Sequence, residues 1–242
     1  MTTRELSEPP PAEGTSWRDA RSHARFWPTA VALLAADLWS KHAVFATLDA
    51  DSAVPILGGL IELRRSLNDG AVFGSFTGYV GVFIVASILA LAFVLHLFAH
   101  SRRTQWVMHV ALAMVLAGAL GNLFDRAWIQ ADVVRVADGD GLEFSVIGTI
   151  VSDDADGDVR IGDWPDGANA RRFPREKVTV RRQGVVRDFI RFVPKLPAWV
   201  PKLGGRDAWP WVFNVADAAL VVGVILLLLS SLFDHRPRER AA

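Results

Sequence analysis

The chain has 242 residues, enough for one large domain or two small ones, and its 26 basic and 26 acidic side chains give a formal net charge of zero. That balance argues against a nucleic-acid-binding protein, and the absence of cysteine excludes disulfides, thiolate metal sites and a cysteine nucleophile. Hydrophobic residues make up 51% of the chain although 21% is charged, so the apolar residues must be concentrated in particular segments.

Four apolar blocks organise the chain after a polar N-terminal segment. The segment contains three consecutive prolines, which predicts a disordered tail over residues 1–25. The blocks lie at about 26–48, 79–99, 106–124 and 211–233. Each holds roughly 20 residues, enough for a helix to cross a hydrocarbon core about 30 Å thick. They predict an all-α integral membrane protein with four transmembrane helices. The alternative, four buried helices of a soluble bundle, does not explain why the fourth block is apolar on every face.

Two connections between the blocks have β character. Residues 53–67 alternate in part and contain a Gly-Gly turn. Between the third and fourth blocks, short alternating runs are separated by Asp-Gly pairs, which favour hairpin turns because glycine accepts positive φ. The runs are 133–136, 142–151, 159–161 and 178–180. They predict a β-rich insert at 131–182, which divides the membrane core into 26–130 and 183–235. The acidic run 153–158 could suggest calcium, but a solvated turn explains it better because the downstream glutamate of a calcium loop is missing.

Arginines in the short connections orient the predicted helices, because such residues concentrate on the cytoplasmic side. They precede the first block, lie in the turn between the second and third, and follow the fourth: Arg18, Arg21, Arg25, Arg102, Arg103, Arg236, Arg238 and Arg240. Both termini are therefore predicted to be cytoplasmic, with tails at 1–25 and 236–242. The connection at 127–210 is longer than about 60 residues, so it escapes this charge rule and its β segments are predicted to be extracytoplasmic.

Polar residues within the apolar blocks are candidates for function, because charges are costly inside a membrane. Asp37 and Lys41 share one face of the first helix at i, i+4 spacing, which fits either an internal ion pair or a functional role. The other candidates flank the second, third and fourth blocks: Asn68, Asp69, Gly70, Asn122, Asp125, Arg126, Asn214 and Asp217. In the predicted topology these residues all lie near the outer membrane surface, which predicts one site between the helices.

Carboxylates dominate the chemistry available at this level. Of the six histidines, only His42 falls near the group, so a histidine metal site or a serine–histidine pair is disfavoured. Two carboxyl groups held close together cannot both ionise, so one keeps a proton while the other can take a proton from water. That is the chemistry of aspartic proteolysis, which needs neither metal nor cofactor. The residues alone nominate Asp125 and Asp217 as the pair.

Five stretches together resemble signal peptidase II, the lipoprotein signal peptidase family. They are DLWSK at 37–41, NDGAVFG at 68–74, GALGNLFDR at 118–126, VRDFI at 186–190 and FNVAD at 213–217. The resemblance covers about 28–233 apart from the insert. It implies a membrane aspartic endopeptidase that cleaves prolipoproteins at the N-terminal side of a diacylglyceryl-cysteine. Because the substrate supplies that cysteine, its absence from this chain is no objection.

The resemblance also implies roles for individual residues. The catalytic aspartates correspond to Asp188 and Asp217, whereas Asp125 becomes a structural residue that fixes the adjacent Arg126. Of the two interpretations of Asp37 and Lys41, the structural ion pair is the one predicted. The residues implied to line the site and bind substrate are Asn68, Gly70, Asn122, Arg126 and Asn214.

Two features depart from the family pattern. Arg187 replaces an apolar residue before the implied catalytic aspartate, and Arg126 and Asp188 are 188 − 126 = 62 positions apart where the family has only a handful. Asp132 is a weaker competitor for the role of Asp188 because no Phe-Ile pair follows it. The pairing of Asp125 with Asp217 remains the alternative.

The implied partners are prolipoproteins that carry a diacylglyceryl-cysteine, together with membrane lipids. The protein is predicted to be a monomer in the bacterial cytoplasmic (inner) membrane, multi-pass, with its site near the outer face and with no nucleic acid, metal or cofactor. The alternatives are a non-catalytic lipoprotein-binding homologue and a proton-coupled membrane carrier. The Asp37–Lys41 pair is compatible with a carrier, but the chain lacks the internal repeat that carriers commonly have.

Overall fold

A computed structural model describes residues 14–70, 80–137, 143–155 and 157–234. Its helices are α1 (Ala20–Thr47), α2 (Val80–His100), α3 (Trp106–Trp128) and α4 (Val215–Asp234). The third helix packs against each of the other three. It can approach α4 and α1 closely because it has glycines at the contacts: a side chain at Gly118 would collide with Ala216 on α4, and one at Gly121 with Asp37 on α1.

The helices share a core at the end where the α2–α3 turn lies. The core consists of Phe26, Ala30, Val94, Phe98, Leu112, Ala113 and Leu116. The rings of Phe26 and Phe98 stack with centroids 4.1 Å apart and join α1 to α2. Large apolar side chains on the outward faces of α2 and α4, among them Leu89, Phe93 and Leu228, are exposed. Outward apolar faces of this kind are suited to lipid.

A four-stranded antiparallel sheet lies at the other end of the helices. Its strands are β1 (Ala53–Ile56), β2 (Ile61–Asn68), β8 (Val186–Phe192) and β9 (Val212–Phe213), in that spatial order. The β1–β2 connection is a 3-10 turn at Leu57–Gly59, where Gly58 and Gly59 adopt positive φ angles of 67° and 86°. Strand β8 pairs with β2 although some 120 residues separate them in sequence, and this pairing brings Asp188 opposite Ser66.

The stretch between α3 and β8 forms a second, five-stranded antiparallel sheet. Its strands are β3 (Gln130–Ala137), β4 (Glu143–Asp153), β5 (Asp158–Asp163), β6 (Ala168–Pro174) and β7 (Val178–Gly184), in the spatial order β6-β5-β4-β3-β7. It has an apolar core of its own around Val134, Val159 and Ile161. The backbone N–H of Val185 donates to the carbonyl of Ile129 at 2.9 Å, so the sheet begins and ends at one point. The backbone carbonyl of Trp164 accepts from the guanidinium of Arg65 on β2, which links the two sheets.

The predicted all-α fold with four transmembrane helices is wrong. Two extensive antiparallel sheets accompany the helices, where only small β segments were predicted. Within the described residues, only Trp106–Trp128 and Val215–Leu232 are long and apolar enough to cross a membrane. The apolar part of α2 is shorter, Ile84–His100, and the first helix is too polar because it contains Asp37, Lys41 and His42.

The N-terminal boundary also differs from the predicted one. The predicted tail reached residue 25, whereas a 3-10 turn occupies Ser16–Arg18 and α1 begins at Ala20, capped by the side chain of Asp19. The backbone N–H of Ser16 donates to the carbonyl of Ser101 at 2.9 Å, which ties this segment to the α2–α3 turn. Residues 1–13, the family-like stretch 71–74, the Asp-Gly pair at 140–141 and the tail at 236–242 lie outside the described residues.

Candidate active site

A buried ion pair on α1 supports the start of α4. Lys41 and Asp37 are almost fully buried, with Nζ and Oδ2 2.8 Å apart, as their i, i+4 spacing allows. The other oxygen of Asp37 accepts from the backbone N–H of Ala216 at 2.8 Å. One of the unsatisfied N–H groups at the start of α4 is thereby satisfied by a carboxylate on a different helix.

Asp125 on α3 lies between two cations. Its Oδ2 is 3.4 Å from Nζ of Lys41, and its Oδ1 accepts from Nη2 of Arg187 at 2.7 Å. The backbone N–H of Arg187 also donates to Oδ2, at 2.9 Å. Asp125 is fully buried. Lys41 and Arg187 therefore hold Asp125, which also interacts electrostatically with Arg126, the residue that the resemblance implied it fixes.

Two asparagines connect the remaining carboxylates. The side chain of Asn122 donates to Oδ1 of Asp217 at 2.7 Å and accepts from Nζ of Lys41 at 3.1 Å. Asn214 donates from Nδ2 to Oδ1 of Asp188 at 2.6 Å and to the side-chain oxygen of Asn122 at 3.1 Å. The asparagines thus form a continuous hydrogen-bonded bridge from Asp188 to Asp217.

Asp188 is the strand residue of this cluster and is almost fully buried on β8. Its second oxygen accepts from the side chain of Asn68 at 3.0 Å, and Asn68 in turn accepts from the backbone N–H of Gly70 at 2.9 Å. Gly70 can follow this turn because it adopts a φ of 92°. Burial, followed by the negative charge of Asp217, raises the pKa of the Asp188 carboxyl to about 7, although the two asparagine donors oppose the shift in pKa.

Asp217 belongs to a reciprocal cap at the N-terminus of α4. The side chain of Asn214 accepts from the backbone N–H of Asp217 at 3.0 Å, and Oδ2 of Asp217 accepts from the backbone N–H of Asn214 at 3.2 Å. This is the capping-box arrangement, in which the N-cap and N3 residues satisfy each other's backbone donors. The carboxylate of Asp217 therefore lies at the positive end of the helix dipole.

Arg126 supplies positive charge to the same cluster. It is partly buried at the end of α3 and interacts electrostatically with Asp217, Asp188 and Asp125. The cluster therefore contains four carboxylates, those of Asp37, Asp125, Asp188 and Asp217, and three cations, those of Lys41, Arg126 and Arg187. One proton on a carboxylate makes this set neutral, which favours a shared proton in a buried network.

An apolar cavity of about 470 Å³ opens beside Asp217. Its lining residues are Phe192, Ala208, Trp209, Phe213, Asp217, Ala218, Val221 and Val222, of which only Asp217 is charged. A cavity of this size and character is suited to an apolar ligand held against one reactive group. The chain between Phe192 and Val212 closes one side of it, tied down by the backbone N–H of Ala208 donating to the carbonyl of Pro194 at 2.9 Å.

The arrangement has the parts that general acid–base chemistry requires. One buried carboxyl has a pKa near neutrality, a second lies at a helix N-terminus, and both are held by amide donors. Among the described residues, no group of three or more histidine or acidic side chains is arranged to hold a metal ion. Two carboxyl groups held in this way can act as a general acid and a general base.

Comparison with known proteins places the chain in a family. Residues 29–233 match the family model described as Signal peptidase (SPase) II. The chain belongs to the signal peptidase II family. A lipoprotein signal peptidase of Desulforapulum autotrophicum is 30% identical over 224 residues, which cover 90% of this chain and 98% of that protein. One from Desulfitobacterium hafniense is 25% identical over 214 residues, which cover 88% and 97%.

A solved structure supports the fold of this signal peptidase II family member. It is described as a bacterial membrane enzyme structure obtained by the in meso method at 2.3 Å resolution. The two chains superpose with a TM-score of 0.58 at 19% identity, covering 93% of this chain and 96% of the other. Membership of the family makes the chain a protease, and its apolar helices agree with a place in the membrane.

The predicted site residues can be compared with this geometry. The structure brings Asp188, Asp217, Asn68, Asn122 and Asn214 into one hydrogen-bonded network, with Arg126 close by. Asp132 is elsewhere, on β3, where it accepts from the backbone N–H of Ile150.

Arg187 is the site residue that sequence reasoning did not assign. It was noted only as a departure from the family pattern, and its partner Asp125 is 62 positions away in sequence. The signal that could have found it was a charge beside an implied catalytic aspartate, since a buried charge requires a partner.

Proposed function

We propose that this chain is an aspartic endopeptidase that removes signal peptides from prolipoproteins, cutting at the N-terminal side of a diacylglyceryl-cysteine. Asp188 and Asp217 are its catalytic pair. Support for the substrate class comes from the family and from relatives named lipoprotein signal peptidase. The observation that carries the choice of residues is that Asn214 donates to both carboxyls, from Nδ2 to Asp188 and from its backbone N to Asp217.

The alternative pairing of Asp125 with Asp217 has less support. Both oxygens of Asp125 already face cations, Lys41 on one side and Arg187 on the other, and the residue has no exposed surface. A carboxylate so occupied is poorly placed to receive a proton from water. Asp125 is therefore assigned a structural role, together with Asp37 and Lys41.

The proton of the resting pair is assigned to Asp188. Burial and the neighbouring charge of Asp217 keep Asp188 protonated close to neutral pH, and Asp217 lies at the positive end of the α4 dipole. Asp217 then takes a proton from the attacking water while Asp188 donates its proton to the scissile carbonyl oxygen. The tetrahedral intermediate collapses as the C–N bond breaks. The proton on Asp217 passes to the departing cysteine nitrogen, and Asp188 recovers its own from the new carboxyl group.

The remaining polar residues hold the reacting groups in place. Asn68 and Asn214 orient the carboxyl of Asp188, and Asn122 orients that of Asp217. Arg126 interacts electrostatically with both aspartates and so supplies positive charge beside the reacting groups. Gly70 supports Asn68 through its backbone N–H.

The membrane arrangement follows from α3 and α4. Both helices cross the bilayer in this proposal, which makes the protein multi-pass. The arginines of the α2–α3 turn favour a cytoplasmic position for that turn. The N-terminal segment and the end of α4 lie at the same level, because Thr15 pairs with Arg102 and the groove beside Leu227 reaches Arg102. Both termini are accordingly cytoplasmic.

The depth of the site follows from the tryptophans of α3. Trp106 and Trp128 are exposed at its two ends. These ends are about 35 Å apart along a helix of 23 residues, as expected for aromatic residues at the two membrane interfaces. Asn122 and Arg126 belong to the last two turns before Trp128, which favours a site near the outer face.

The surroundings of the site suit the proposed partners. The apolar cavity beside Asp217 would accept an apolar part of the substrate, and the outward helix faces would contact lipid. One chain supplies every residue of the pair, so a monomer suffices.

The test compares Asp217→Asn with Asp132→Asn in purified protein. Wild type should cleave a diacylglyceryl-modified lipopeptide, and Asp217→Asn should lower kcat by about 10²–10⁴-fold while the lipopeptide still binds. Asp132→Asn is the matched control, because its side-chain oxygen can still accept from Ile150, and it should remain active.

Two outcomes would contradict the proposal. Full activity of Asp217→Asn would remove that residue from the chemistry. Binding without cleavage by wild type would favour the non-catalytic lipoprotein-binding homologue, and proton-dependent transport by vesicles containing the protein would favour a carrier.

A further inference from the structure

We infer that Arg187 is a positioning residue for Asp188, acting through a buried fork to Asp125 that attaches strand β8 to helix α3. The inference rests on the proposed catalytic role of Asp188, and it concerns a residue at which this chain departs from the family pattern. Arg187 and Asp125 are both buried, and no substrate atom needs to touch either of them. Their contribution is therefore to hold the neighbouring residue in place.

The backbone of β8 needs such an attachment at this point. On one side, β8 pairs with β2, but the register shifts between Leu63 and Ser66, immediately before the partner of Asp188. On its other side, β9 pairs only with Ile190 and Arg191. The first part of β8, which contains Asp188, therefore has a neighbouring strand on one side alone. Without another acceptor, the backbone N–H of Arg187 would be a buried donor without a partner, which is costly.

Asp125 supplies the missing acceptor for this backbone N–H and also binds the guanidinium of the same residue. Its Oδ2 accepts from the backbone N–H of Arg187 at 2.9 Å. The guanidinium of Arg187 donates to Oδ1 from Nη2 at 2.7 Å and from Nε at 3.2 Å. Backbone and side chain of one residue are thus held by one carboxylate. A planar fork fixes direction as well as distance, which a single point charge such as lysine cannot do.

The other side of Asp125 is fixed as well. Lys41 lies 3.4 Å from Oδ2 of Asp125 and is itself paired with Asp37. Asp37 accepts from the backbone N–H of Ala216 on α4, one residue before Asp217. This buried series of charged residues therefore begins at Arg187, which precedes Asp188, and ends at Ala216, which precedes Asp217. It relates β8 to α4 through α1 and α3.

The direction in which the side chain of Asp188 points depends on this series of charged residues. Successive side chains of a strand point to opposite faces, so a contact that fixes the rotation of β8 at Arg187 also fixes the direction of the next side chain. A displacement of about 1 Å at a reacting group can lower the rate about 100-fold. Loss of the fork should therefore reduce kcat while leaving the apolar contacts that bind the substrate largely unchanged.

The experiment measures kcat and KM for lipopeptide cleavage by Arg187→Met, Arg187→Lys and Arg191→Met. Arg187→Met should lower kcat about 100-fold with KM within about threefold of wild type. Arg187→Lys, which keeps the charge but not the fork, should recover part of the loss. Arg191→Met is the control on the same strand, because its guanidinium bonds Glu62 and Asp207 at a more exposed position, and it should retain kcat within about threefold.

A double-mutant cycle adds Asp125→Asn. If the pair acts as a unit, Asp125→Asn with Arg187→Met should be no slower than the slower single variant. Independent, additive losses would overturn the inference, as would a wild-type kcat for Arg187→Met. If Arg187→Met does not fold, Arg187→Lys decides alone: a lowered kcat at unchanged KM supports the inference, and a wild-type kcat overturns it.

Measuring Asp188→Asn beside these variants distinguishes a failure of the positioning role from a failure of the proposed function. If Asp188→Asn is fully active, the proposed function fails. If Asp188→Asn is inactive while Arg187→Met is normal, only the positioning role fails.

Discussion

Asp188 is a carboxyl group that the fold prevents from ionising easily. Burial and the charge of Asp217 raise its pKa to about 7, so the folded protein holds this proton more tightly than the unfolded chain does. The contribution of Asp188 to stability is therefore greatest at acid pH, and it declines as the pH rises from about 4 through about 7. Above that range the folded state contains a buried charge that the unfolded state would solvate.

Asp188→Asn should consequently stabilise the protein, and more so at alkaline pH. We expect its gain in unfolding free energy over wild type to be on the order of 2–3 kcal/mol larger at pH 8 than at pH 5. Thermal unfolding in detergent at the two pH values measures this difference, with Asp132→Asn as the control. An equal gain at both pH values would contradict the raised pKa of Asp188.

The same pKa predicts how activity depends on pH. In the proposed mechanism cleavage requires the proton on Asp188, so kcat/KM should fall as the pH rises through about 7 and above. A pH profile of kcat/KM, measured with lipopeptide well below KM, tests this fall. A kcat/KM that stays constant from pH 6 to pH 9 would show that the proton resides on another group.

At the scale of single residues, the sequence contained most of the candidate site. Asn68, Asn122, Asn214 and Asp217 are polar groups at the ends of apolar blocks, where charge and amide groups are conspicuous. Asp188 could not be found in this way because it lies on a strand outside those blocks, and only the family pattern pointed to it. Its partners are 26 and 120 positions away, a separation that local sequence patterns do not reveal.

Helix α3 depends on two glycines for its contacts with α1 and α4. An added methyl group at Gly118 would collide with the backbone of Ala216 and lie 2.6 Å from the side chain of Leu220. At Gly121 it would meet the carboxylate of Asp37. The close approach that these glycines allow places Asn122 within reach of Asp217.

Gly118→Ala should therefore destabilise the protein although alanine favours helices. We expect a loss of about 1–3 kcal/mol from overpacking, with a lower kcat because α4 is displaced. Gly81→Ala in α2 is the matched control, since nothing lies within 4 Å of the added methyl group there, and it should be neutral or stabilising. Thermal unfolding of both variants measures the difference. Equal unfolding free energies for Gly118→Ala and Gly81→Ala would mean that α3 and α4 can move apart without loss of stability.

At the scale of elements, helices were easier to predict than strands. An apolar block of roughly 20 residues indicates a helix by its length alone, and α2 and α3 begin within one residue of the predicted blocks. Strand β6 was not predicted because Arg171 and Arg172 interrupt any alternation, as an exposed edge strand permits. Strand β8 was recognised only as a motif, since its place in a sheet depends on distant β2.

The proposed orientation of the whole molecule in the membrane can be tested by cysteine labelling. The absence of cysteine means that single cysteines can be introduced without background. In right-side-out membrane vesicles, a membrane-impermeant maleimide should label Trp199→Cys, whose parent residue is 81% exposed in the connection between β8 and β9. It should not label Thr104→Cys in the α2–α3 turn until the vesicles are opened. The reverse pattern would invert the proposed orientation.

The hydrogen bond from Val185 to Ile129 has an evolutionary consequence. A module that leaves and rejoins the chain at one point adds length to the gene without moving the flanking residues apart in space. Arg126 and Asp188 can therefore be 62 positions apart here and still belong to one cluster. The same point is a natural place to exchange this module for another folded domain, such as a fluorescent reporter with adjacent termini, in order to follow the enzyme in living cells.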